Sequence, residues 1–305
     1  MQNDKVIHEC YNRYHHLEEG ARLIDTESQF NVYSVRVTYI GLAAAIAIYD
    51  GYFKLDEKLK CLLKRYNENI LGDTTIKHLL TRSTGLLFQE DSVERVAEPG
   101  MNDNKKRPDL VAEIIYHQTG LTVSEIINEK IIEQLGWSKT EWVTVGKENL
   151  VCDIYGPGEP PSLRIESNRG DDRNLYVSTR DLVFWGHLHL NKGRIGGKQI
   201  LPEKIFDLVV TPQSPQTVPS YHPKFGFFWW INGSSENITW EYNELGDNLP
   251  EGSFQILGAS GCVCLVIPKY NVVAVRMLNS LYDNDFDYLE DIKTFGNMVM
   301  ENINQ

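Results

Sequence analysis

A chain of 305 residues is long enough to bury a substantial core, as one large domain or two interleaved ones. Apolar residues make up 42% and charged residues 24%, ordinary values for a globular protein, so disorder is excluded. The net charge of -12, with no Lys/Arg run, repels a phosphate backbone and argues against nucleic acid as a partner.

The start, Met1-Gln2-Asn3-Asp4-Lys5, lacks the basic, apolar and small-residue succession of a secretory signal. The longest apolar stretch, Tyr39 to Tyr49, is far shorter than the roughly 20 residues that span a bilayer. Five scattered cysteines (Cys10, Cys61, Cys152, Cys262, Cys264) are an odd number and suggest reduced thiols rather than a disulfide framework. The expectation is a cytoplasmic protein with no membrane span.

In chain order, Lys5 to Tyr14 alternates imperfectly and reads as one or two short strands. Ser34 to Asp50 predicts a helix that stops at Gly51, and its Leu42 to Ile48 run has no polar face. A helix apolar all round is buried on every side, so this one is expected at the centre of the molecule. Ser34 falls at its N-terminal end, where free N–H groups and the positive end of the dipole favour an anionic oxygen.

Helical patterns follow at Leu55–Tyr66, Ile76–Thr81, Pro108–Gln118 and Val123–Leu135, with Gly120 and Gly136 as stops. Ser178-Thr179-Arg180-Asp181 predicts a capped helix start before Leu182-Val183-Phe184-Trp185, and Gly193 its end. From Tyr221 onward the pattern changes. Phe225–Ile231, Ile238–Tyr242, Phe254–Leu257, Cys262–Ile267 and Val272–Leu278 are rich in β-branched and aromatic residues and read as an antiparallel meander. A last helix begins near Asp285 with Leu289, Ile292, Phe295, Met298 and Val299 on one face. Helices in the middle, strands late and a terminal helix make an α+β arrangement.

Several segments resemble the serine β-lactamase and penicillin-binding-protein superfamily, in particular its class C-like, D,D-peptidase and esterase branch. Phe30 to Arg36 resembles the entry to the nucleophile helix, and Thr74 to Leu86 resembles the segment written "ITIRHLLTHTSGL". Thr119-Gly120 with Ile132 to Thr140, Leu175 to Leu182, and Phe225 to Trp230 resemble three further segments, in the family's order. Each is weak alone; the ordered series, which spans nearly the whole chain, is specific. It implies a β-lactamase/transpeptidase-like antiparallel sheet flanked by helices, with an inserted all-helical lobe and a cleft between them. On that layout residues 1–54 and 190–305 form the sheet domain and residues 55–189 the mainly helical lobe. The family usually has one more strand before the nucleophile than the 33 residues here.

The catalytic motifs depart from the family. Its nucleophilic serine is followed three residues later by a lysine, close to one helical turn, so that the amine reaches the hydroxyl. Here Ser34 stands in the nucleophile position and Val37 in the lysine's. Arg36 lies about 200° round the helix and stays protonated, so it is no simple substitute. The second motif carries a proton-shuttling tyrosine and should fall after Pro99-Gly100, where Met101-Asn102-Asp103-Asn104 stands. No tyrosine occurs between Arg82 and Ile115, and Asn102, Asp103 or Asn104 is the polar contact to a ligand expected there. The third motif reads Ala259-Ser260-Gly261, without the family's Lys or His; its backbone offers an oxyanion-hole N–H beside that of Ser34.

Losing a general base costs about 10²–10⁴-fold, so β-lactamase or D,D-peptidase turnover is expected to be weak or absent. The plain alternative for Ser34 is a helix-capping serine with no chemistry. Eight histidines suggest no metal site: His187 and His189 point to different faces, and no His-Glu-x-x-His motif exists. Cys262 and Cys264 share a strand face beside the third motif and are expected to be packing thiols rather than reactive ones. The resulting expectation is a divergent serine hydrolase that binds or acts on an amide, ester or peptide-like small molecule, with no cofactor. The alternatives are a non-catalytic binding or scaffold pseudoenzyme, and a cleft recruited to non-covalent chemistry on a metabolite.

Overall fold

The computed structural model describes residues 1–303 apart from 17, 20, 90–91, 102–106, 157–158, 219–221, 234–242 and 281–286. The helix Val37–Tyr49 is the centre of the molecule, and every residue from Val37 to Ala47 is buried. In its first turn the Thr38 hydroxyl is satisfied by donating to the Val35 carbonyl at 2.8 Å. Around it pack the helices Pro108–Thr119, Val123–Ile127 and Glu203–Val210. On another side Tyr39 stacks on Trp185 with ring centroids 3.6 Å apart, and the Trp185 indole N–H donates to Thr38 Oγ1 at 3.0 Å.

The helical segments follow local chemistry. Pro108 occupies the first turn of its helix and Gly120 ends it in the left-handed conformation. Thr122 and Glu125 form a capping box at the start of Val123–Ile127. The helix predicted to run unbroken to Leu135 is interrupted by a π turn at Asn128–Ile132 before Glu133–Leu135. The helix expected over Leu55–Tyr66 shrinks to Leu59–Leu62. Its backbone is committed elsewhere: Lys58 bridges to Thr75, the Leu59 N–H donates to the Thr74 carbonyl at 2.8 Å, and the Leu55 carbonyl accepts from Lys77.

A three-stranded antiparallel sheet places Leu175–Ser178 between Gln29–Asn31 and Thr140–Trp142. Ser178 then caps the helix Thr179–Leu190, its Oγ accepting from the Asp181 N–H at 3.1 Å. That helix lies on a second, five-stranded antiparallel sheet, against its strands Val263–Ile267 and Val272–Arg276. The order across this sheet is Val272–Arg276, Val263–Ile267, Phe254–Leu257, Trp230–Ile231 and Lys224–Phe225. The start of the chain meets the outer strand, with Gln2 bridging Val272 and the Met1 carbonyl accepting from Val273 at 2.9 Å. The start of the chain and its late strands therefore meet at one sheet.

Three expectations need correction. Residues 5–14 form no strand; only single bridges occur there, Gln2 to Lys5 and Tyr14 to Leu23. Phe225–Ile231 is not one strand but a hairpin, turned by a Gly226 N–H to Trp229 carbonyl bond of 3.0 Å and by Phe228 at a φ of 67°. Its turn is built from buried aromatics, so it reads as apolar run rather than loop. In the last helix, Tyr288–Ile303, the buried stripe is Ile292, Gly296 and Met300, whereas Met298 is 55% exposed. The strand expected at Ile238–Tyr242 lies outside the described residues.

Candidate active site around Ser34

The strand Gln29–Asn31 delivers the chain into a 3-10 turn at Tyr33–Arg36, which leads straight into the central helix. Ser34 sits in this turn, half-buried, rather than in the helix proper. The turn is fixed from several directions. The Val32 N–H donates to the Leu175 carbonyl at 3.0 Å, and the Val35 N–H to the Val32 carbonyl at 2.9 Å. The Asn31 side-chain oxygen accepts from the Tyr33 N–H at 3.0 Å. Tyr33 itself is left-handed, with a φ of 46°, an unfavourable conformation for a bulky side chain.

Ser34 is not a capping serine. Val32 and Arg36 occupy the N-cap positions of the turn and the helix, and neither element receives a side-chain cap. Among the described residues neither the hydroxyl nor the amide of Ser34 has a hydrogen-bond partner.

Val37, one turn on, is 1% exposed and part of the hydrophobic core. Arg36 turns to the loop at 171–172, its Nε donating to the Asp172 carbonyl at 2.8 Å and Nη2 to the Asp171 carbonyl at 3.3 Å. Burial lowers its pKa to about 10, which still leaves a cation at neutral pH. Neither side chain supplies a base to Ser34.

Ala259, Ser260 and Gly261 form the turn between the strands Phe254–Leu257 and Val263–Ile267. Their neighbour Gly258 packs directly against the Ser34 turn. A Cβ there would lie 2.4 Å from the Val32 carbonyl oxygen and 3.3 Å from Tyr33 Cβ, so only glycine fits. Gly258 donates to the Cys262 carbonyl at 2.8 Å and Gly261 to the Gly258 carbonyl at 2.9 Å. The amide of Ala259, which is exposed, has no partner among the described residues. Ser260 is buried with its Oγ 3.3 Å from Cys262 Sγ, and Gly261 backs onto Leu278. Met101 is 40% exposed, while Asn102 and Asp103 lie outside the described residues.

One group was not foreseen. The Tyr33 phenol donates to Asp153 Oδ2 at 2.6 Å and lies 3.4 Å from the Tyr155 hydroxyl, with the Arg164 guanidinium 5.8 Å from its ring centroid. Asp153 is 1% exposed, and burial raises its pKa to about 6, against the opposing pull of the Tyr33 hydrogen bond and of Arg164. The only sequence signal was an isolated acid among apolar residues, Val151-Cys152-Asp153-Ile154.

Cys262 and Cys264 are fully buried, and burial raises both thiols above their ordinary pKa, so neither is a ready thiolate. Among the described residues no cluster of His, Cys, Asp or Glu is suited to a metal. No helix among them is long and apolar enough to cross a membrane. An open cleft of about 500 Å³, lined by Thr26, Lys139, Arg180 and Phe184 among others, does not include Ser34.

Comparison with known proteins accords with this layout. An uncharacterized protein of Alkalihalophilus pseudofirmus is 38% identical over 303 residues, covering 98% of this chain and 88% of the relative. Among solved structures, a simvastatin synthase mutant from Aspergillus terreus superposes with a TM-score of 0.72 at 15% identity, over 96% of this chain and 88% of that one. EstCE1, described as a hydrolase with promiscuous acyltransferase activity, superposes with a TM-score of 0.66 at 17% identity, over 90% and 87%. At these identities the superpositions establish a shared fold, β-lactamase/transpeptidase-like and α+β. A sequence profile described as Beta-lactamase matches residues 1–294, and the chain belongs to that family of serine hydrolases.

Proposed function

We propose that this protein binds an ester- or amide-type small molecule at Ser34 and that Ser34 accepts its acyl group slowly. In the step envisaged, Ser34 Oγ bonds to the carbonyl carbon as the bond to the leaving alcohol or amine breaks. The serine proton goes to the leaving group, by way of water or the substrate itself. The amides of Ser34 and Ala259 would hold the oxyanion. The observation that carries this reading is that the hydroxyl of Ser34 and the amides of Ser34 and Ala259 lack partners among the described residues, on two turns pressed together at Gly258. The acyl-transfer description of EstCE1 agrees with it.

With Val37 in place of the lysine, ordinary β-lactamase or D,D-peptidase turnover is expected to be weak or absent. Asn102 and Asp103 remain proposed ligand contacts, and so do Ser260 and Gly261 of the turn beside Ala259. Prolonged exposure to a fluorophosphonate or a penicillin, followed by mass spectrometry, should find an adduct on Ser34. An unmodified serine after long incubation defeats the acyl-acceptor reading. It would leave the second reading, a binding pseudoenzyme, which is favoured by the packing of Val37 in the core and the commitment of Arg36 to the 171–172 carbonyls.

A further inference from the structure

Tyr33 is the most constrained residue of the Ser34 turn. A non-glycine residue at a φ of 46° is strained and persists only where its surroundings over-determine it. Three contacts do so here: the Asn31 side chain on the Tyr33 N–H, Gly258 against its Cβ, and Asp153 on its phenol. The first two are local to the turn and its neighbouring strand. The third comes from a distant loop, where Asp153 is pinned by reciprocal backbone bonds with Ser162, at 2.8 and 3.2 Å.

We propose that Tyr33 and Asp153 are positioning residues for Ser34: the Asp153 carboxylate anchors the Tyr33 phenol, the anchored side chain holds the left-handed backbone, and that backbone aims the Ser34 hydroxyl and amide into the cleft. The proposal rests on the acyl-acceptor reading of Ser34. It assigns the site a structural dependence that lies outside all three motif positions.

A purely packing role for Asp153 fits the surroundings poorly. A carboxylate 1% exposed is costly unless a specific hydrogen bond rewards it, and a neutral isostere would fill the same space without that cost. The groups facing it are Tyr33 from the turn, Tyr155 and Cys152 from its own segment, Arg164 and Tyr176 from the facing segments, and Cys262 from the sheet. Of these only Arg164 is a cation, and the hydrogen bond to Asp153 is the phenol's. An ionised acceptor holds a phenol more strongly than a neutral one.

The test uses the full chain and three variants, Tyr33→Phe, Asp153→Leu and Asp153→Asn. Two quantities are read: the rate at which a fluorophosphonate modifies Ser34, forming the O–P bond with loss of fluoride, and the amide hydrogen exchange of peptides spanning residues 31–37. Tyr33→Phe and Asp153→Leu should slow modification by about tenfold to a hundredfold, the scale of a misplaced reacting group, and should speed exchange in the turn. Asp153→Asn keeps an oxygen acceptor and should stay within a few-fold of the parent in both. The parent should show a step near pH 6 in its modification rate and Asp153→Asn should lack it, which a simple packing role would not produce. Modification and exchange at parental values in Tyr33→Phe overturn the proposal, and that variant carries the test should Asp153→Leu not fold. If Ser34 is unreactive in the parent, the acyl-acceptor reading fails separately. Exchange then decides alone: faster exchange in the variants supports the anchoring, and unchanged exchange overturns it.

Discussion

The phenol of Tyr33 and the carboxylate of Asp153 meet at 2.6 Å, although 120 positions separate them in the chain. This contact ties the turn before the central helix to a loop that follows the helical segments. It also leaves a carboxyl group in a setting that resists ionisation.

That resistance predicts a stability profile. The folded pKa of Asp153 is raised from 3.8 to about 6, chiefly by burial. Between those values the folded state binds more protons than the unfolded one, so stability falls as pH rises through the interval. Above it the penalty is up to about 3 kcal/mol. Asp153→Asn removes the ionisation and keeps the acceptor. It should match the parent near pH 4 and exceed it by about 1–3 kcal/mol at pH 8, measured by denaturant unfolding across pH.

His189 gives the opposite sign. It is fully buried among Trp185, Phe206 and Trp229, with Nδ1–H donating to the Trp185 carbonyl at 2.8 Å and Nε2 unpartnered among the described residues. Burial lowers its pKa to about 4. The neutral ring is therefore stabilising above pH 6.5, and about 3 kcal/mol is lost as pH falls from there through 4. His189→Met should change stability little at pH 8, because a buried orphan nitrogen leaves with the ring. Acid unfolding followed by tryptophan fluorescence should be shallower over that interval.

Gly258 marks the contact between the third-motif turn and the Ser34 turn. In Gly258→Ala the new Cβ must push the Val32 carbonyl, because a 2.4 Å approach is not sustainable. A loss of about 1–3 kcal/mol is expected from such overpacking, with a larger proportional loss of Ser34 modification than of stability. Thermal unfolding and adduct formation, read on the same preparation, separate the two.

Val37→Lys, combined with Met101→Tyr, restores the side-chain types that the family uses. Val37 is 1% exposed, so the introduced amine would be desolvated and its pKa depressed, which is what a base near neutrality needs. Ester hydrolysis should rise by about 10²-fold or more over the parent, at some cost in melting temperature. No gain in p-nitrophenyl ester turnover would mean that the cleft itself has been reshaped.

Legibility in the sequence followed locality. The central helix, the Ser178 cap and the strand Phe254–Leu257 were all readable, because each depends on residues within a few positions. The hairpin at Gly226–Trp229 was not, since its turn is made by aromatics that pack inward and carry no turn residue beyond Gly226. The Leu55–Tyr66 segment had helical spacing but spent its backbone bonds on residues 74–77. Ser34 and Val37 were found through the motif; Tyr33 and Asp153 are joined only by the fold, and no spacing announces the pair.

The burial of Val37 to Ala47 on every side bears on how the molecule comes apart. The helices Pro108–Thr119, Val123–Ile127 and Glu203–Val210 share this one segment as their inner wall, and the Ser34 turn joins it to the strand Phe254–Leu257. Neither the helical part nor the sheet therefore owns a complete core. Cooperative melting in a single transition follows, and a fragment that keeps one half without residues 37–47 should collapse rather than fold.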